Sequence, residues 1–269
     1  MSSLRGLDAM KTRLDKLVLQ RGLAPTRERA QALVLAGRVL VNEQKIDKAG
    51  ASVDDEATLR ILGDDMPYVS RGGLKLAKAI EHWRIDVQDK VCVDIGASTG
   101  GFTDCLLQHG AAKVIAIDTG YGQIDAKLRA DHRVRLLEKT NARYLTPETL
   151  WADDRREAIA LIAMDVSFIS ATLVLPAVVS CVRDEDSFEL VVLVKPQFEV
   201  GRENVGKGGI VRDAKAQQAA VERVTLTVRE LGGGEIEVID SPILGAEGNR
   251  EFLLHAQFDA QQMTSAPVR

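Results

Sequence analysis

Cysteine is scarce in this 269-residue chain and long apolar runs are missing, and each shortage removes a class of protein. The three cysteines, Cys92, Cys105 and Cys181, are odd in number and sit among apolar neighbours. They form neither a CxxC pair nor a cluster with the four scattered histidines. A disulfide scaffold is excluded, and the expectation is buried free thiols with no bound metal. Apolar runs such as residues 157–166 and 190–194 are interrupted by charge or proline, well short of the ~18–20 residues that cross a bilayer. No membrane span or membrane partner is expected. The opening MSSLRGLDAM has no continuous apolar stretch ahead of a small-residue cleavage site, so a cytoplasmic location is expected. What is present is ordinary for a globular protein. The chain is 45% hydrophobic and 28% charged, which supports a full core and fits neither collagen, a coiled coil nor a disordered tail. Against a domain mode of ~100–150 residues, this length suggests one large domain or two unequal ones.

Charge divides the chain. The net charge is −4, yet the first 48 residues hold ten basic residues against five acidic, a local +5 that leaves −9 on the remaining 221. Such asymmetry points to a basic module joined to an acidic one, with polyanion binding in the first part. In that part Leu14, Leu17 and Val18, then Ala30, Leu33 and Val34, recur at helical spacing. The first helix is expected to stop at Gly22, Thr26 to cap the second, and Gly37 to end it. Residues 38–46 read as strand, tight turn around Asn42–Gln44, and strand. Residues 53–62 read as a third strand.

This order, carried by "RLDKLVLQRGL" and "TRERAQALVLAGRVLVNEQKI", resembles the S4 RNA-binding domain over residues 11–63. The resemblance implies helices that present a basic face to the sugar-phosphate backbone, with Arg13, Lys16, Arg27, Arg29 and Arg38 as contacts. Phosphate contacts supply affinity and position rather than base choice. Residues 64–69, rich in turn formers, are expected to be a linker, and 259–269 a frayed tail.

Between them, from residue 70 to 258, β-rich apolar runs alternate with helical segments: 91–95, 114–117, 134–137, 159–164, 190–194, 236–239 and 252–258. Seven strands with intervening helices predict an α/β doubly wound sheet, and ligands of such sheets sit beyond the carboxyl ends of the central strands. The first strand runs into Asp94-Ile-Gly96-Ala97-Ser98-Thr99-Gly100-Gly101-Phe102. Glycines here let a ligand approach backbone N–H groups. Ser98 stands where a dinucleotide fingerprint needs its second glycine, so a pyrophosphate site is not indicated. The pattern resembles motif I of class I S-adenosylmethionine methyltransferases, which implies a Rossmann-like fold with a seven-stranded, mostly parallel sheet and S-adenosyl-L-methionine as cofactor. On that resemblance Asp118, at the end of the next strand, meets the ribose hydroxyls, Asn141 lies at the adenine, and Asp165 borders both cofactor and substrate.

Four charged residues complete the pattern. Lys75 lies in "VSRGGLKL", Asp165 ends the fourth strand, Lys195 ends the fifth, and Glu251 begins the last. In order and strand position they resemble the Lys-Asp-Lys-Glu tetrad of FtsJ-like RNA 2′-O-methyltransferases. A ribose hydroxyl is a weak nucleophile at neutral pH and needs a proton acceptor or a cation near its oxygen. The resemblance implies Lys195 as base or oxygen-stabilising cation, Lys75 as the group orienting the hydroxyl, and the two carboxylates as their holders. Arg71 joins the RNA-binding candidates. The glycine-bearing loop 196–213 either closes over RNA through Arg202, Lys207 and Arg212 or is merely mobile.

The motifs "DIGASTGGFTD", "IDTGYGQ", "KTNAR", "DVSFIS", "VKPQFEVG" and "GNREFLL", behind an S4-like module, are similar to those of the TlyA (haemolysin A) family over residues 11–258. That likeness implies 2′-O-methylation of cytidine in 16S or 23S ribosomal RNA, with ribosomal RNA or subunits as partner and oligomeric state open. Arg250 departs from the pattern and should face away from Glu251. The competing readings are a catalytically silent ribosomal RNA-binding protein, which has no use for the tetrad, and a haemolysin, for which no lytic helix is evident.

Overall fold

A computed structural model describes residues 11–24, 26–62, 67–151, 156–182, 187–245 and 247–260. The first half of the expected linker, most of the expected tail and the first ten residues lie outside these. The chain divides into two compact units, Met1–Met66 and Pro67–Arg269.

In the first unit a short strand β1 (Lys11–Arg13) leads into α1 (Leu14–Gln20) and α2 (Arg27–Leu35), followed by β2 (Val39–Val41), β3 (Gln44–Lys45), β4 (Ser52–Asp54) and β5 (Leu59–Ile61). The Thr26 hydroxyl accepts from the Arg29 amide and so caps α2 as expected. Gly22 and Gly37 take positive φ where the helices end. Asn42 and Glu43 both lie at positive φ, which gives the two-residue turn between β2 and β3 the twist that a hairpin requires. Leu14, Leu17, Val18, Ala30, Leu33 and Val34 meet Val39, Val41 and Val53 in one buried cluster.

The third strand expected over 53–62 is two strands. The Asp54 carboxylate accepts from the Glu56 amide and its carbonyl from the Ala57 amide, a side-chain-closed turn that breaks the run. The halves then part company: β5 pairs with β2, while β4 pairs with β1.

The second unit runs α3 (Gly72–Trp83), β6 (Val91–Ile95), α4 (Gly101–Gln108), β7 (Lys113–Ile117), α5 (Ala126–Ala130), β8 (Val134–Leu137), α6 (Pro147–Leu150), β9 (Ile159–Met164), α7 (Leu175–Ser180), β10 (Phe188–Val194), α8 (Pro196–Glu199), α9 (Ala214–Glu230), β11 (Gly234–Asp240) and β12 (Phe252–Phe258). All seven expected strands are present, and they form one sheet in the order β11-β12-β10-β9-β6-β7-β8. β12 is antiparallel to both neighbours; the five from β10 to β8 are parallel. Period-two alternation fills both faces. Val93, Ile95, Ile162 and Val192 join Leu175, Val178, Val224 and Val228 on one side. Cys92, Leu161 and Val191 join Leu76, Ile80 and Leu106 on the other. The three cysteines are free and buried, and burial pushes the Cys92 and Cys105 thiols up to about 12. Because β6 has β7 on one side and β9 on the other, the strand order reverses there and a crevice opens beyond their carboxyl ends.

Candidate active site

The crevice is lined by the segments that follow β6, β7, β8, β9 and β10. After β6 the chain turns through Gly96 at φ +89° and Gly100 at φ +96°. A Cβ on Gly96 would collide with the Asp165 carbonyl oxygen, so only glycine lets the loops after β6 and β9 pass at this distance. A Cβ on Gly101 would strike the Ser70 hydroxyl. Ser98 takes φ +49°, and its amide donates to Asp118 Oδ2 at 2.8 Å, while Asp118 Oδ1 accepts from the Gly120 amide at 2.6 Å. One carboxylate thus binds two loops. Asn141 caps the turn after β8, its Oδ1 accepting from the Arg143 amide at 3.0 Å. Gly96, Ser98, Asp118 and Asn141 line a cavity of 440 Å³ that ends at Asp165 and Phe168.

Asp94 stands behind that wall. It occupies a core position on the α3/α4 face of β6, fully buried, with Oδ2 accepting from Thr103 Oγ1 at 2.6 Å and no partner for Oδ1. Burial, helped by the nearby Asp165 and Asp118 charges, pushes its carboxyl up to about 7 against the hydrogen bond from Thr103. Gly100 is also a packing position: its Cβ would meet Leu128 and Ile124.

A second cavity of 210 Å³ shares Gly96, Ser98, Asp165 and Ser167 with the first and is lined further by Ala97, Thr99, Gly101, Phe102, Lys75 and Lys195. Lys195, the residue after β10, places Nζ 2.6 Å from Asp165 Oδ1 and donates to Ser167 Oγ at 2.6 Å. Lys75, on the inner face of α3, donates to Glu251 Oε2 at 2.6 Å. Both members of this pair are buried. The four residues that the chain order scatters over 176 positions therefore form two ammonium–carboxylate pairs, and three of the four line one chamber. Glu251 precedes β12 by one residue rather than beginning it. Its neighbour Arg250 turns outward to Asp240 at 2.7 Å, opposite in exposure to Glu251 as expected.

Sequence reasoning missed the residues that hold these groups in place. Ser167 holds Lys195. Glu199, buried on α8, accepts from Ser170 Oγ at 2.5 Å and the Ala171 amide at 2.8 Å, so the segment carrying Asp165 is braced to the segment carrying Lys195. Phe168 is 93% exposed at φ +64°, its ring 5.4 Å from that of Phe198. Asn249, buried, accepts from the Val211 amide and donates to the Gly209 carbonyl, pinning the glycine-bearing loop beside Glu251. Arg202, Lys207 and Arg212 of that loop are exposed. A motif shows only its own residues, and none of these bracing residues has a short-range partner that spacing would reveal.

Of the RNA-binding candidates, Arg13, Lys16, Arg27 and Arg29 are exposed on the first unit and Arg38 is half-buried, donating to the Leu62 carbonyl. Arg71, in the second unit, donates to the Leu244 carbonyl at 2.6 Å. Among the described residues no group of three or more His, Cys, Asp or Glu could hold a metal ion, and no helix is long and apolar enough to cross a membrane.

A seven-stranded sheet of this order, with a glycine loop at the switch point and a charged chamber beside a nucleoside-sized cavity, defines a Rossmann-like methyltransferase. Comparison with known proteins makes the class specific. The FtsJ-like methyltransferase model matches residues 68–258 and the S4 domain model residues 12–59. The 16S/23S rRNA (cytidine-2′-O)-methyltransferase TlyA of Mycobacterium tuberculosis is 43% identical over 96% of this chain and 94% of its own. Hemolysin A of Brachyspira hyodysenteriae is 41% identical over 90% and 98%. A solved structure of a hemolysin candidate from Streptococcus thermophilus is 40% identical, covers 96% of both chains, and superposes with a TM-score of 0.69. The chain belongs to the FtsJ-like methyltransferases, in the group that carries an N-terminal S4 domain and includes the TlyA proteins.

Proposed function

We propose that the protein methylates the ribose 2′-hydroxyl of a cytidine in ribosomal RNA, using S-adenosyl-L-methionine, in the cytoplasm and on RNA or ribosomal subunits. The observation that carries this reading is the chamber in which Lys75, Asp165 and Lys195 meet, opening directly into the cavity lined by the glycine loop. Residues 11–63 serve as the RNA-binding domain and 70–258 as the methyltransferase domain.

The cavity fits the cofactor. Gly96 has no room for a side chain, the Ser98 and Gly120 amides fix the Asp118 carboxylate at the end of β7, and each of its oxygens retains a lone pair for a ribose hydroxyl. Gly96 to Gly101 flank the amino-acid end, and Asn141 the base. When bound, the cofactor supplies an electrophilic methyl group on a cationic sulfur. Everything else falls to the chain. Lys195, tethered by Asp165 and Ser167, is the group that stabilises or deprotonates the attacking oxygen. Lys75, held by Glu251 behind it, orients the hydroxyl. Fixing both ammoniums on rigid strand and helix ends places the nucleophile in line, from which much of the rate derives. Phe168, exposed where it lines the larger cavity, offers a face on which an unstacked base can rest. The arginines of the first unit neutralise phosphates.

The test is methyl transfer from labelled S-adenosylmethionine to small subunits, large subunits and deproteinised ribosomal RNA from cells lacking this enzyme. Label at a single alkali-resistant cytidine, lost in Lys195→Ala while cofactor still binds, is the expected result. Equal labelling by Lys195→Ala refutes its assigned role, and no labelling of any substrate by the native enzyme refutes the function and leaves an RNA-binding protein.

A further inference from the structure

An acid sits at the centre of the basic module. Asp15, on α1, is fully buried, and its carboxylate gathers three side chains from two other elements together with one backbone amide of its own helix. Oδ1 accepts from Arg13 Nε of β1 and from the Lys16 amide, each at 3.0 Å. Oδ2 accepts from Arg13 Nη2 at 3.0 Å, and from Arg27 Nε at 3.2 Å and Gln31 Nε2 at 2.9 Å, both on α2. The Arg13 hydrogen bonds, with those of Gln31 and Arg27, hold the carboxyl far below the usual range against the cost of burial. The two arginines are not buried with it: their side chains remain 47% and 45% exposed. Gly50 keeps space for one of them, since a Cβ there would lie 3.3 Å from Arg13 Nη1.

The arrangement has a direction. Asp15 takes the Nε edge of each guanidinium, and among the described residues no partner occupies Arg13 Nη1 or either Nη of Arg27. These donors are fixed to one carboxylate and open to solvent on the other side. Two guanidinium forks fixed in this way match the oxygens of a phosphodiester backbone, and the rotamer freedom of two long side chains is lost on folding rather than on binding. We propose that Asp15 is a positioning residue that holds Arg13 and Arg27 as a preformed site for RNA phosphate. The inference rests on the reading of this module as RNA-binding and adds to it an acid whose negative charge serves binding.

The sign separates it from plain electrostatics. Asp15→Asn removes a negative charge and so raises the module's net charge by one, which by long-range attraction alone tightens binding to a polyanion. Loss of the anchor weakens it. Binding of the full-length protein to a fluorescent fragment of deproteinised ribosomal RNA, at two salt concentrations, reads the difference. Asp15→Asn is expected to weaken binding on the order of tenfold, and to cause no further loss in an Arg13→Ala, Arg27→Ala background. Arg13→Lys, which keeps the charge but loses the fork, is expected to weaken binding as much as Arg13→Ala.

Tighter or unchanged binding by folded Asp15→Asn overturns the proposal, as does a full additional loss in the double-arginine background, which marks Asp15 as acting through the fold. Should Asp15→Asn fail to fold, Arg13→Lys decides: unchanged affinity overturns the proposal. Unchanged affinity in Arg13→Ala, Arg27→Ala overturns instead the RNA-binding reading of this face.

Discussion

The protonation of Asp94 should make the second unit lose stability as the pH rises across a range where most proteins gain it. The carboxyl is fully buried between β6 and α4, with one oxygen bonded to Thr103 and the other unpartnered. Its ordinary value of 3.8 is pushed up to about 7 by burial first and by its acidic neighbours second. The folded state therefore keeps a proton that the unfolded chain releases near pH 4. This group's contribution to stability is intact below pH 4 and is lost as the pH rises through about 7. The gap between 3.8 and about 7, at ~1.4 kcal/mol per pH unit, amounts to about 4 kcal/mol, of which about 3 kcal/mol falls between pH 4.5 and 8. Asp94→Asn removes the ionisation and keeps an oxygen for Thr103. Its buried NH₂ carries a fixed penalty of ~1–3 kcal/mol that does not vary with pH, so the slope rather than the absolute value is diagnostic. Urea unfolding at fixed pH values, followed by tryptophan fluorescence, reports this unit alone, because Trp83 and Trp151 both lie within it. The stability of Asp94→Asn relative to native should rise by about 3 kcal/mol from pH 4.5 to 8. A difference that stays flat shows Asp94 to be ionised in the folded protein and refutes the reasoning.

Gly96→Ala should lose about 2–5 kcal/mol of stability, the left-handed strain plus the overpacking, and bind S-adenosylmethionine at least ~10-fold more weakly by calorimetry, because its Cβ displaces the Asp165 carbonyl. Undiminished affinity removes the glycine loop from the site. Glu199→Ala strips the Ala171 amide and the Ser170 hydroxyl of their buried acceptor, costing roughly 2–5 kcal/mol, and should lower turnover because Asp165 and Ser167 lose their brace. Glu199→Gln, which retains an acceptor, should restore most of both, and equal defects in the two variants would show that bulk alone matters. Phe168→Ala should raise the KM for RNA by roughly ten- to a hundredfold, the worth of one stacked base, and leave cofactor affinity unchanged. A loss confined to kcat argues against a stacking role.

Much of the fold was legible because its signals are local. β-rich apolar runs closed by turn residues mark the seven strands of the large sheet to within two residues, and glycine and Thr26 mark the helix ends of the small unit. The failure came where the local signal is thin. A three-residue strand such as β1 has no period to detect, and the break between β4 and β5 depends on a single aspartate side chain closing a turn.

For the site, the same division holds. Lys75, Asp165, Lys195 and Glu251 were legible as a set only through their resemblance, in order and strand position, to the tetrad of FtsJ-like enzymes; taken singly, a lysine on a helix and a glutamate before a strand carry no signal. The tertiary structure decided which ammonium meets which carboxylate. Lys75 pairs with Glu251 because β12 inserts antiparallel beside β10, bringing residues 176 positions apart within 2.6 Å. It also decided that Asp94 is a buried acid behind the pocket, that Glu199 braces two loops, and that Asp15 gathers Arg13, Arg27 and Gln31 around one carboxylate. Strand type and helix ends follow from short-range sterics and periodicity, which the sequence carries directly. Burial and hydrogen-bond partnership depend on which distant segments pack together, a property of the assembled sheet and helices that no local run of residues contains.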